Sequence, residues 1–279
     1  MRNLLTFAFL FIVGTSYAQI QTPAASPSAT VEQTVGLTDI TVEYSRPGVK
    51  DRVIFADDGL VPFGKIWRTG ANAATKITFS TDVKVNGAAL KAGSYAILTI
   101  PTAESWTVNF YAFDAPGFGG YVEKEPTASV SAETMELSWK LENFTISIHN
   151  LKSDGADLMI AWDTTGVGLE ISIDTDSAVM ASIESAMACP SNNDYYRAAS
   201  YYYEADKDLD KALNWINKAT NVDQPRFWQV RTKALILAKM GKKQEAIDAA
   251  TQSMELAMAA GNDDYVRMNK KSIEEWQNM

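Results

Sequence analysis

The chain has one cysteine, one histidine and a shortage of positive charge, and each of these removes a class of function. Cys189, the single cysteine among 279 residues, leaves no internal disulfide, so the fold must rest on its apolar core. Lying between "SAMA" and Pro190 at an expected helix end, it reads as a small buried apolar residue rather than a reactive thiol. His149 alone cannot supply HExxH or multi-histidine zinc sets, and no metal or cofactor is expected. A Ser-His-Asp triad would have to use His149, which shares a strand face with Thr145 and Ser147 and is expected to face solvent; no GxSxG is present. With 25 Lys plus Arg against 34 Asp plus Glu and a formal net charge of -9, no surplus of cations exists to displace counterions from phosphates, and a nucleic-acid partner is set aside. The longest apolar run, Leu4 to Val13, is too short for a membrane span, which needs about 20 residues.

That run is informative in another way. "MRNLLTFAFLFIVGTSYAQIQ" carries Arg2, then the apolar stretch, then Ser16 and Ala18 at the -3 and -1 positions of a cut before Gln19. This predicts a cleaved secretory signal over 1–18 and an exported mature protein, periplasmic or secreted, with no membrane span. No cysteine stands at the cut to take a lipid. "QIQTPAASPSA" follows as a flexible tether over 19–30, with order expected from about Val31.

Over 31–174 apolar residues recur at period two: Ile40, Val42, Tyr44; Ile77, Phe79; Met135, Leu137, Trp139; Phe144, Ile146, Ile148; Leu158, Ile160, Trp162; and Val167 through Ile173. This alternation predicts some eight to ten antiparallel strands in a β-sandwich, with a closed barrel as the alternative. Asn86-Gly87 can form the type I′ turn of a hairpin whose second strand, Tyr95 to Ile100, is apolar on both faces, as a central strand covered from two sides would be. From Asp176 the period changes to three and four, predicting an all-α domain over 175–279. A shift of 34 residues superposes Ala212-Leu213 on Ala246-Ile247, Ser200 on Ala234, Tyr203 on Leu237, Ile216 on Ala250 and Ala219 on Ser253. This resembles the tetratricopeptide pattern, with a groove either open to a protein or peptide partner or filled by a flanking helix.

Two further stretches look like sites and fail as such. "DKDLD", Asp206 to Asp210, spaces carboxylates like a calcium loop, but Lys211 takes the glycine position and Asn217 the final ligand, so it reads as a turn between helices. "PGFGG", Pro116 to Gly120, lacks the spacing and strand-to-helix setting of a phosphate loop and reads as a flexible loop. A pair of carboxylates for hydrolysis is a spatial property that no spacing reveals, and no catalytic residue is assigned.

One charge anomaly remains. Between Arg46 and Arg68 five cations (Arg46, Lys50, Arg52, Lys65, Arg68) face three acids (Asp51, Asp57, Asp58) inside an acidic protein. Arg46, Lys50, Arg52, Trp67, Arg68 and Asn72 are the candidate ligand-binding residues, for a small polar or anionic ligand gripped by forked hydrogen bonds and stacking. The competing reading, which the sequence favours, has the arginines clamp loop carbonyls and the tryptophan fill core.

"YSRPGVKDRVIF", "GLVPFGKIWRTGANAATKITFSTDVKVNG" and "LKAGSYAILTIPTAESWTV" resemble the domain of unknown function 2911, a family of exported bacterial proteins, over Val31 to Ile173. The resemblance implies that Arg46, Lys50, Arg52, Trp67, Arg68, Gly70 and Asn72 belong to a family motif, and it implies no reaction. Ala73 stands where the family leads one to expect an acidic residue, and "PGFGGYVEKEPTASV" lacks the expected Trp-Gly and later Arg; a ligand site completed by those groups would be altered here. The function expected is that of an exported, non-enzymatic binding or scaffold protein of the bacterial envelope, the alternative being an envelope hydrolase acting on polysaccharide or peptide.

Overall fold

The computed structural model describes residues 22–278; the expected signal and its cut near Ala18 lie outside them. The chain divides at Asp174 and Thr175 into a β unit and a helical unit. The strands of the β unit are β1 (Ser28–Val35), β2 (Thr38–Ser45), β3 (Phe55–Ala56), β4 (Val61–Pro62), β5 (Thr75–Phe79), β6 (Val83–Val85), β7 (Ala88–Leu90), β8 (Gly93–Pro101), β9 (Ser105–Ala112), β10 (Ala128–His149) and β11 (Gly155–Ile173). Nine of them form one antiparallel sheet in the order β1-β2-β5-β8-β9-β10-β11-β6-β7, while β3 and β4 make a short parallel pair.

The sheet doubles over along β10. Ala128 to Glu133 pair with β9, and Thr134 to His149 pair with β11. Both halves bury one core, with Ile40, Ile77, Ile97, Trp106 and Phe110 from one side and Phe144, Ile160, Trp162 and Leu169 from the other. The result is a sandwich; β1 and β7 stay at opposite ends of the strand order, so the sheet does not close into a barrel.

Alternation placed these faces because successive side chains of a strand point to opposite sides, and β2 alternates buried with more exposed residues along its whole length. Several details differ from expectation. Order starts at Ser28, inside the stretch read as tether, because polar Thr30, Glu32 and Thr34 alternate on an edge strand and mask it. Four expected strands are two long ones, β10 and β11: the interruptions at 137–144 and near Asp163 are register shifts rather than turns. Along β10 Leu137 is buried while Met135 and Trp139 are exposed. The Asn86-Gly87 turn, φ 44° and 82°, joins β6 to β7, and Tyr95 to Ile100 lies in β8, a strand of the other half.

β8 is covered on both faces. Tyr95 and Ile97 enter the main core, whereas Ala96 and Leu98 join Ala74, Tyr111 and Tyr121 in a second cluster against Ile66, Phe113 and Phe118. The loop expected at 116–120 is more ordered than its glycines suggested: Phe118–Tyr121 is a 3-10 turn. The Tyr121 hydroxyl accepts from the N–H groups of Asp114 and Ala115 and donates to Ala115 O.

The helical unit comprises α1 (Thr175–Ala186), α2 (Asn192–Glu204), α3 (Leu209–Thr220), α4 (Phe227–Lys239), α5 (Lys243–Ala259) and α6 (Asp263–Gln277). Ser191 and Asp194 form a capping box at the start of α2. Cys189 is exposed in the connection after α1 rather than buried, because the helix ends at Ala186 and leaves it beyond the packed turns. The expected 34-residue shift matches α3 to α5, where Ala212 and Ala246, Ile216 and Ala250, and Ala219 and Ser253 are all buried. In α2 and α4 the buried equivalents are Ala199 with Ala234 and Tyr202 with Leu237, one position further apart. The loop after α2 (205–208) is one residue longer than that after α4 (240–242), which absorbs the difference. Met180 and Ile183 of α1 pack on the α2–α3 cluster, and Ile273 and Trp276 of α6 on the α4–α5 cluster. Among the described residues no helix is long and apolar enough to cross a membrane.

Candidate functional site

Two stretches from the cationic region meet at the surface of the β unit. The first leaves β2 at Ser45, and Pro47 cannot donate to a ladder. Gly48 bridges to Asn143; a Cβ there would lie 3.0 Å from Glu142 Oε1, so glycine permits the approach. Lys50 and Asp51 take left-handed conformations, φ 49° and 58°, and turn the chain. Arg52 closes that turn, Nη2 donating to Gly48 O at 2.6 Å and Nε to Val49 O at 3.0 Å.

The second stretch is anchored at Trp67, whose backbone exchanges two hydrogen bonds with Thr99. Its indole enters an aromatic cluster, stacked on Trp162 at 5.9 Å and edge-on to Phe144 at 5.2 Å, and Nε1 donates to Gly70 O at 3.1 Å. Thr69 is fully buried at φ 56°, a conformation that costs a β-branched residue about 1–3 kcal/mol. It is held there by a bond from its hydroxyl to Thr99 Oγ1 at 3.1 Å and by a bond from the Thr75 hydroxyl to its carbonyl. Gly70, φ 137°, sits where a Cβ would meet Ser45 O at 3.0 Å. Asn72, φ 60°, donates through Nδ2 to Ser26 O and Ser45 Oγ, both at 3.2 Å.

Between the stretches lies a cleft of about 340 Å³. Lys50, Arg52, Trp67, Arg68 and Asn72 all line it, with Leu60, Trp162 and Ser26 among their neighbours. Arg68 donates from Nη1 to Asn72 O at 3.1 Å and lays its guanidinium 4.2 Å from the centre of the Phe118 ring. Arg46 is the one candidate outside the lining. Its Nε donates to Phe144 O at 3.0 Å and its Nη2 to Thr145 Oγ1 at 2.8 Å, so it ties the end of β2 to β10.

The electrostatics of the cleft are one-sided. Among the described residues Lys50, Arg52 and Arg68 enter no ion pair, as is true of most of the lysines and arginines; what sets these three apart is that they line one cleft. Among the described residues no acidic one lines the cleft. Glu142 approaches its edge, where Oε1 accepts the Lys50 backbone N–H at 2.9 Å. Ala73, at the position of the expected acid, is exposed beside Asn72 and brings no carboxylate there. Both arginines spend part of their donor set on neutral carbonyls and keep the rest, an arrangement that fixes the guanidinium planes and favours an anion. The clamping bonds and the remaining donors thus belong to the same two side chains. His149 is exposed, bonded to Ser147 Oγ at 2.7 Å, and is absent from the cleft lining.

Sequence reasoning missed the wall made by Ala25 and Ser26, which lie in a Pro, Ala and Ser-rich stretch with no periodicity. It also missed Trp162, whose alternation marked it as core but could not place it under Trp67.

The family model described as Protein of unknown function (DUF2911) matches residues 26–171. The span opens at Ser26 in the cleft wall, takes in both stretches and ends before the first helix. Neither the curated proteins nor the solved structures gave a match. Since the matched span covers more than half of the 279 residues, the chain belongs to the family of Protein of unknown function (DUF2911).

Proposed function

We propose that this chain is an exported binding protein of the bacterial envelope whose β unit holds a small anion in the cleft between Lys50 and Asn72. The observation that carries this reading is the convergence of Lys50, Arg52 and Arg68 on a cleft whose lining, among the described residues, holds no carboxylate. Cations that line one cleft repel one another, and grouping three of them there in a protein with net charge -9 suits an anionic guest. The left-handed backbone at Lys50, Asp51, Thr69 and Asn72 supports it, since strained conformations gather where a surface is organised for a ligand. Export is supported by the apolar run and small residues ahead of Gln19. The repeated burial in α3 and α5 supports a tetratricopeptide-like module for a protein or peptide partner.

Isothermal titration with inorganic phosphate and with acetate tests the cleft. Binding by the full chain that weakens at least tenfold in Arg52→Gln and in Arg68→Gln, at unchanged far-ultraviolet dichroism, supports the reading. Equal affinity in both variants removes it. Sequencing of the mature protein from an envelope fraction should begin at Gln19. The hydrolase alternative has less support, because among the described residues neither a carboxylate pair nor an imidazole lines the cleft.

A further inference from the structure

We infer that the guest of the cleft is an amphipathic carboxylate, an anionic head on an apolar body, rather than a small hydrophilic anion; this rests on the anion-binding reading above. The cations occupy only part of the surface. Leu60 lines the same cleft and is 47% exposed. Its N–H donates to Val53 O at 3.0 Å, which sets it beside Val53, itself 66% exposed. Leu60 and the half-buried Trp67 indole line the same cleft as the cations, and apolar surface of this kind is costly to leave wet. A phosphate or sulfate would satisfy Arg52 and Arg68 and leave this apolar rim untouched. A carboxylate with a short alkyl chain uses both: the head accepts from the free guanidinium donors and the chain covers Leu60 and Trp67. The lysine and arginine stems add apolar surface along the way.

The test is a chain-length series. Titration of the full-length mature protein with acetate, butyrate, hexanoate and octanoate should show the dissociation constant falling by about fourfold for each methylene that reaches the rim. Inorganic phosphate is the hydrophilic comparison. Leu60→Ser should flatten the dependence on chain length, and Leu60→Met should keep it; the slope, not the absolute affinity, is the readout. A flat series in the native protein with phosphate still bound overturns the amphipathic guest and leaves the anion cleft standing. Failure of every anion, phosphate included, overturns both. A steep series that survives Leu60→Ser unchanged places the apolar body elsewhere and overturns the inference as well.

Discussion

The two units solve the same packing problem with opposite materials. The β unit fills its interior with large rings, Trp106, Trp162, Phe79, Phe110 and Phe144 all fully buried. The helical unit buries many alanines, Ala199, Ala212, Ala219, Ala234, Ala246 and Ala250, beside a few larger residues such as Tyr202, Ile216 and Ile236. Facing sheets stand about 10 Å apart, a gap that only bulky side chains span. Helices can approach to about 8 Å when the residues at the crossing are small. Large residues in one unit and small ones in the other are therefore two answers to two backbone geometries. They imply opposite sensitivities, since a sandwich suffers when atoms are removed and close-packed helices suffer when atoms are added.

The largest effect should come from truncating the sandwich. Trp106→Ala is expected to destabilise the β unit by about 3–5 kcal/mol, read from denaturant unfolding followed by near-ultraviolet dichroism, with the helical signal at 222 nm largely kept. A milder pair sharpens the point. Trp162 Nε1 donates to Glu142 O, while Trp106 Nε1 is buried without a partner among the described residues. Trp106→Phe should therefore cost less than Trp162→Phe, and the reverse order would contradict the bonding described.

Overfilling the helices comes next. Ala212→Leu or Ala246→Leu should cost about 1–3 kcal/mol, seen as an earlier loss of signal at 222 nm, whereas a gain in stability would break the contrast. Arg46→Ala, which strands Phe144 O, should cost the β unit about 1–3 kcal/mol and leave unchanged the anion affinity proposed for the cleft, because Arg46 lies outside its lining. Smallest is a pH effect. Hydrogen bonds from Lys207 and from Tyr201 hold the Asp176 carboxyl below the usual carboxylate range. A depressed carboxylate contributes stability above its unfolded pKa and loses it as pH falls through the folded one. The helical unit should thus weaken on acidification below about pH 4, and Asp176→Asn should flatten that part of the profile. An unaltered acid profile in Asp176→Asn would remove the assignment.

Much of this architecture is legible in the sequence, and the failures share a cause. Period two gave the inward faces of β2, β5 and β11 because burial of a strand is a local, every-other-residue matter. The same signal misread Trp139, since a register shift in β10 is decided by pairing with β11 rather than by residues 137–144 themselves. Cys189 went the wrong way for a similar reason: whether a residue just past a helix is covered depends on what packs over it. In the cleft, Arg52, Trp67, Arg68 and Asn72 drew notice as a local excess of charge and special residues. The sequence posed clamp and ligand grip as rivals because it shows each arginine once. The structure shows that one guanidinium has donors enough for both tasks.

β10 carries a consequence for how the protein comes apart. A strand that runs from Ala128 to His149 and serves both halves of the sandwich leaves neither half able to melt alone. Peeling one away would strip the ladder from the other. Amide hydrogens on β8, beside β9, and on β11, beside the far end of β10, should consequently exchange through a single global opening, with protection that rises and falls together across the series of core variants.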